Sequence, residues 1–174
     1  MNRFPLYLDL TDKSVYLVGD GPQIRDKAQK LESFGPRLIR LARFSEEDAR
    51  QQPALVIAGD LDLSEAEAVY RLCCRYQIPV NVVDQPELCT FFFPALITKG
   101  DLTVSLSTGG SCPAAAAWLR RRVEETLPDR TEEILLWLSQ NRLRLRQLGI
   151  LSQATAEAFS RNRPLTEIEL QQLQ

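Results

Sequence analysis

Over the first half of the chain, short runs of aliphatic and β-branched residues alternate with stretches of helical apolar spacing. The runs are Val15 to Val18, Arg37 to Ala42, Ala54 to Ala58 and Val80 to Val83. This alternation is the pattern of a parallel sheet with crossover helices. Between the first two runs, Ile24, Ala28, Leu31 and Phe34 share one helical face, Pro22 suits a first turn and Gly35 a left-handed stop. Ahead of the fourth run, Ser64 and Glu67 predict a capping box for a helix that turns Val69, Leu72, Cys73 and Tyr76 to one side, and Pro79 ends it.

After Asp84 the pattern changes. Leu102, Val104 and Leu106 alternate with Thr103, Ser105 and Ser107, and a turn at Lys99 to Asp101 joins that run to an earlier extended one. From Pro113 the spacing is helical: first AAAAWLRRRVEETL, then Thr131 to Leu148 stopped by Gly149, then two short helices, the last opened by a box of Thr166 and Glu169. The predicted fold class is α/β. A Rossmann-like parallel sheet domain spans residues 1–84, a small β segment 85–112, and a helical C-terminal subdomain 113–174.

The composition fits a globular protein: 174 residues, 44% hydrophobic and 25% charged, room for one domain and a small appended one. Lys+Arg 21 against Asp+Glu 23 leaves a formal charge of -2, which argues against nucleic acid or an anionic membrane as partner. Histidine is absent, so proton transfer falls to Asp, Glu, Lys, Tyr or Cys. The opening MNRFPLYLDL lacks the basic start and unbroken apolar stretch of an export signal, and no apolar run reaches the ~20 residues of a spanning helix. Cys73, Cys74, Cys89 and Cys112 lack metal-ligand spacing, so free thiols in a reducing cytoplasm are expected and a metal site is not.

The strongest chemical signal is VYLVGDGPQIRDK, where a strand ends in Gly19-x-Gly21 and a helix begins at once. Backbone amides and the positive helix end then face one point, where a dinucleotide diphosphate sits. Pro22 removes one donor, while the amides of Gly21, Gln23 and Ile24 remain. The third fingerprint position should be small so that helix packs on strand, and here it is Ile24. At the end of the second run, where an acid would hold the ribose hydroxyls, stand Ala42, Arg43 and Phe44, with Glu46 and Glu47 slightly late. An arginine there suits a 2′-phosphate or simply a solvated surface, and NAD against NADP stays open.

Asp84 closes NVVD at the carboxyl end of the fourth run, the edge of a parallel sheet where ligands bind. Partly desolvated, it would be the natural general base of a chain without histidine; otherwise it only opens a turn before Pro86. The third signal is a strand running into Ser107, Thr108, Gly109, Gly110 and Ser111 ahead of a helix with Pro113 in its first turn. Amides and hydroxyls there suit a carboxylate or phosphate, or Ser111 is an ordinary helix cap. Phe91, Phe92 and Phe93 suit core or interface packing rather than a stacking platform.

Three segments in this order, FPLYLDLTDKSVYLVGDGPQIRDK, PVNVVDQPELCTFFFPALI and LTVSLSTGGSCPAAAAWLRRRVEETL, together resemble the precorrin-2 dehydrogenase family, the NAD-dependent module of sirohaem biosynthesis. The resemblance implies oxidation of precorrin-2 to sirohydrochlorin with NAD+ as hydride acceptor, in a homodimer whose dimerisation segment is 85–112. Some relatives also insert Fe2+ into sirohydrochlorin, which makes Fe2+ a candidate second substrate. On the matching positions the family's catalytic acid is Asp84, and its glycine-rich turn is Gly19 and Gly21. Pro22, Gln23, Arg43 and Phe44 then flank the nucleotide, and Ser107, Thr108, Gly109 and Gly110 meet the substrate. Relatives usually carry a third glycine in the turn, alanine at the third fingerprint position and a basic residue before the lysine; this chain has Asp20, Pro22, Ile24 and Asp26. The alternative from another class is a non-catalytic tetrapyrrole-binding protein of the same fold with an altered NAD site.

Overall fold

The computed structural model describes residues 3–174. The first two residues, which open both the segment tested for an export signal and the 1–84 domain, lie outside the described residues. The chain divides into two compact units, Phe4–Phe93 and Pro94–Gln174, the latter including Arg3.

In the first unit, strands β1 (Ser14–Val18), β2 (Arg37–Leu41), β3 (Leu55–Ala58) and β4 (Val80–Val82) form a parallel sheet in the order β2-β1-β3-β4. The register pairs Val18 with Leu41 on one side and with Ala58 on the other. Both faces of the inner strands are covered, which is why β1 and β3 read as nearly unbroken apolar runs, whereas the edge strand β2 is largely exposed. On one face Val15, Leu17, Leu55 and Ile57 pack with Ile24, Ala28 and Leu31 of helix α1 (Pro22–Glu32). On the other, Tyr16, Val18, Val56, Ala58, Val80 and Val82 pack with Ala66, Val69 and Cys73 of helix α3 (Leu63–Arg75). Each fully buried aliphatic side chain contributes about 1.5–3 kcal/mol, so this double covering holds the sheet edge rigid. The chain leaves β1 toward β2 and returns on the opposite side through β3, so a crevice opens at the carboxyl ends of β1 and β3.

Two local expectations are corrected. Helix α3 is capped by Asp62, which accepts from the Glu65 amide at 2.8 Å, and Ser64 lies inside the first turn. The Asp side chain takes the free amide two residues ahead of the one expected from the Ser64 and Glu67 box, and the helix starts earlier accordingly. A short helix α2 (Glu46–Arg50), absent from the sequence pattern, is closed by a capping box of Ser45 and Asp48.

In the second unit, β5 (Ala95–Lys99) and β6 (Leu102–Leu106) form an antiparallel hairpin that pairs Ile97 with Val104. Helices α4 (Pro113–Thr126), α5 (Thr131–Gln147), α6 (Leu151–Ser160) and α7 (Glu167–Gln171) follow. Ile134, Leu145, Ile150, Ala154, Ala158, Leu165 and Leu170 make their core. Thr166 and Glu169 form the expected box. The guanidinium of Arg163 and the Thr166 amide and hydroxyl hold the Glu169 carboxyl far below the usual carboxylate range. Cys112, not Ser111, is the N-cap residue of α4, because the Ser111 hydroxyl donates instead to the Thr108 carbonyl at 2.6 Å. Cys73, Cys74 and Cys112 carry free thiols; burial raises that of Cys73 to about 12, while Cys74 is exposed. No helix of the described residues is long and apolar enough to cross a membrane.

Candidate active site

The turn after β1 shows why two glycines are needed. Gly19 sits at φ +97, donates its amide to the Leu41 carbonyl at 3.1 Å, and lies so close to the Gly59 carbonyl that any β-carbon would strike it. Gly59 in turn donates to Val18 at 3.0 Å, so the ends of three strands are laced around this turn. Gly21 is the N-cap of α1 and carries no side-chain cap, which leaves the first amides of the helix pointing outward. This backbone can approach a diphosphate, as the glycine spacing requires.

Ile24 does not obstruct the approach. Its side chain is wholly buried in the core beneath the sheet, and the space it needs is left by Gly59: a β-carbon there would lie 3.1 Å from Ile24 Cδ1. The small residue required between helix and strand is therefore present, but on β3's following loop instead of on α1. This partner was not seen in the sequence, although a glycine directly after the third run was the available signal.

Carboxylates crowd the other side of the turn. Asp60 and Asp84, which follow β3 and β4, both take left-handed backbone, at φ 57 and φ 61. The side chain of Asp60 is folded against Gly21, where any β-carbon would collide with its carboxylate. Asp84 is exposed, not partly desolvated as the sequence suggested, because β4 ends before it. Its geometry is instead set by a neighbour: Gln23 Nε2 donates to Asp84 Oδ2 at 2.7 Å. One helical turn further, Lys27 Nζ lies 4.5 Å above the Phe93 ring. Burial holds its ammonium below the usual lysine range, Lys30 adds to this, and Asp26, Cys89 and Asp84 oppose it. Phe91 and Phe93 meet at a tilt with ring centroids 5.5 Å apart and pack against the α1 side of the core.

On the β2 side the charges are positive. Arg25 Nη1 donates to the Asp20 carbonyl at 2.5 Å and lies 3.5 Å from its carboxylate, which Arg40 also approaches at 3.8 Å. Arg43 is exposed just past β2. Phe44 is a packing residue, edge-on to Tyr16 at 6.3 Å in the α3-side core. Pro22 opens α1 and is exposed.

In the second unit, Gly109 and Gly110 turn the chain at φ +67 and φ +88. Ser107 Oγ accepts from the Gly109 amide at 3.2 Å, Thr108 Oγ1 accepts from the Cys112 amide at 3.3 Å, and Arg3 donates to the Gly109 carbonyl at 2.7 Å. This turn is exposed. Among the described residues no cluster of three or more His, Cys, Asp or Glu is placed to hold a metal.

The glycine turn and its outward amides fit a nicotinamide dinucleotide, while the Asp60 carboxylate lies folded against Gly21 at the edge of that approach. A family model described as putative NAD(P)-binding matches residues 6–95. A siroheme synthase of Thioalkalivibrio sulfidiphilus is 35% identical over 148 residues, covering 74% of this chain and 30% of that protein. One of Methylococcus capsulatus is 33% identical over 167 residues, covering 84% of this chain and 35% of that protein. The chain thus spans about a third of the length of these curated relatives. A solved structure titled SirC, precorrin-2 dehydrogenase, shares the fold with a TM-score of 0.67 at 16% identity, over 98% of this chain and 96% of that one.

Proposed function

Because the chain belongs to the putative NAD(P)-binding family whose model spans residues 6–95, we propose that it is an NAD-dependent precorrin-2 dehydrogenase, oxidising precorrin-2 to sirohydrochlorin. The observation that carries this reading is Asp84, an exposed acid held by Gln23 from the very helix whose amino end meets the glycine turn. The names of the siroheme synthase relatives and of the structural neighbour support the substrate class.

Removing two hydrogens from precorrin-2 releases a hydride and a proton. NAD+, when bound, supplies the hydride acceptor and becomes NADH. The diphosphate would rest on the amides of Gly21, Gln23 and Ile24 beside Gly19, with Pro22 setting the helix start. Asp84 takes the proton. Gln23 occupies Oδ2, so Oδ1 is the atom with a free lone pair to accept it. The tetrapyrrole carries several carboxylates, and the Ser107, Thr108, Gly109 and Gly110 turn offers backbone amides and hydroxyls of the matching polarity. Fe2+ insertion into sirohydrochlorin belongs to the same reading as a second activity, and so does a homodimer built on 85–112 in the cytoplasm.

Precorrin-2 supplied with NAD+ and the chain should give sirohydrochlorin and stoichiometric NADH, followed by absorbance. Absence of NADH, together with tetrapyrrole binding that persists without NAD+, would instead favour the non-catalytic tetrapyrrole-binding alternative. Asp60 folded against Gly21 is the observation on that side. Metallation of sirohydrochlorin by Fe2+ without NAD+ tests the second activity.

A further inference from the structure

We infer that the β2 flank of the glycine turn accepts a 2′-phosphate, so that this chain binds NADP+ at least as tightly as NAD+. The inference rests on the dinucleotide reading above and concerns its adenosine end. In a sheet wound this way the ribose lies over the end of β2, where an acid bonds the 2′-hydroxyl and repels a phosphate. No acid stands there. Ala42 and Arg43 follow β2, and Glu46 accepts from the Tyr76 hydroxyl at 2.7 Å and from Arg50 at 3.1 Å. Asp48 is closed into the box with Ser45, and Glu47 stands beyond them in the first turn of α2.

What the flank does carry is cationic. Leu38 packs into the α1-side core, and Arg40, two residues on, extends along the same face of β2 toward the turn. There it meets Arg25 from α1 at a single carboxylate, Asp20, whose side chain is 88% exposed. Two guanidiniums from different elements thus converge on an anion at the position a ribose phosphate would approach, and Arg43 adds a third without a carboxylate partner among the described residues. Three cations against one carboxylate leave an excess of positive charge, and guanidinium forks suit phosphate oxygens. Asp20 holds the arginines in place while it stays weakly bound itself, because exposed pairs at these distances contribute little.

Calorimetric titration of the cofactor-free chain with NAD+ and NADP+ tests this. NADP+ is expected to bind equally or up to about tenfold more tightly, the worth of one charge-assisted hydrogen bond. The Arg25→Gln, Arg40→Gln double variant should shift the ratio about tenfold toward NAD+. NAD+ binding measurably tighter than NADP+, or a ratio unmoved in the double variant, would overturn it. Adenosine 2′,5′-bisphosphate and AMP separate this failure from failure of the dinucleotide reading. If neither dinucleotide binds but the bisphosphate does and AMP does not, the phosphate subsite stands and the dinucleotide reading falls; if none of the four binds, both fall.

Discussion

The two flanks of the glycine turn differ in the sign of their charge. On the side of β2, Arg25, Arg40 and Arg43 outnumber Asp20. On the side of β3 and β4, Asp60 and Asp84 stand forward on left-handed backbone, with Lys27 set back over an aromatic ring. Both flanks are built on the same four strands, so the difference comes from the residues that follow each strand and not from the fold. On the function proposed above the flanks would have separate tasks: the cationic one suits a phosphorylated sugar, and the anionic one suits proton acceptance near a positively charged nicotinamide. Direction along the sheet edge is thereby encoded in charge.

The comparison is broken most severely by Asp84→Asn, which keeps the shape and the neighbour Gln23 but removes the proposed base. Turnover of precorrin-2 should fall about a hundredfold to ten-thousandfold, measured as NADH formation, with dinucleotide affinity changed far less. Full activity in this variant would remove Asp84 from the mechanism. Asp60→Asn sharpens the contrast from the opposite direction. It takes one like charge from beside the diphosphate position, and NAD+ affinity by calorimetry should rise about threefold, more at low salt. A loss of affinity would mean that Asp60 helps to hold the turn instead of competing for it.

The smallest effect concerns Lys27. Its folded pKa lies below the ordinary lysine value of 10.5, chiefly through burial, so the unfolded chain binds the proton more strongly. Between the two values the folded state is therefore favoured as pH rises. Thermal midpoints of the native chain relative to Lys27→Met should climb across that alkaline window, and a flat difference would show that the ammonium is solvated. The sign is the same for Glu169, whose lowered value makes its contribution present at neutral pH and lost only in strong acid.

The sheet and most helices were legible because double covering forces continuous apolar runs, and because Gly35, Gly149 and the Thr166 box mark helix ends locally. Helix α2 was not, since five residues leave no periodicity to read and its box closes with Asp48 where glutamate is usual. The glycine turn and Asp84 were likewise visible as local patterns. The contact that joins them was not: Gln23 and Asp84 are separated by 61 positions, and only the winding of the sheet brings the α1 side chain to the end of β4. Asp60 against Gly21 is hidden for the same reason, as is the exposure of Asp84, which depends on where β4 stops.

The exchange of bulk between Ile24 and Gly59 has its own outcome. Helix and strand keep a fixed separation only as long as the summed volume at these two sites is constant, so neither can be altered alone without moving the other. The width of the crevice is thus a property shared by two distant stretches of chain, and enlarging it would take a trade of methyl groups across the gap.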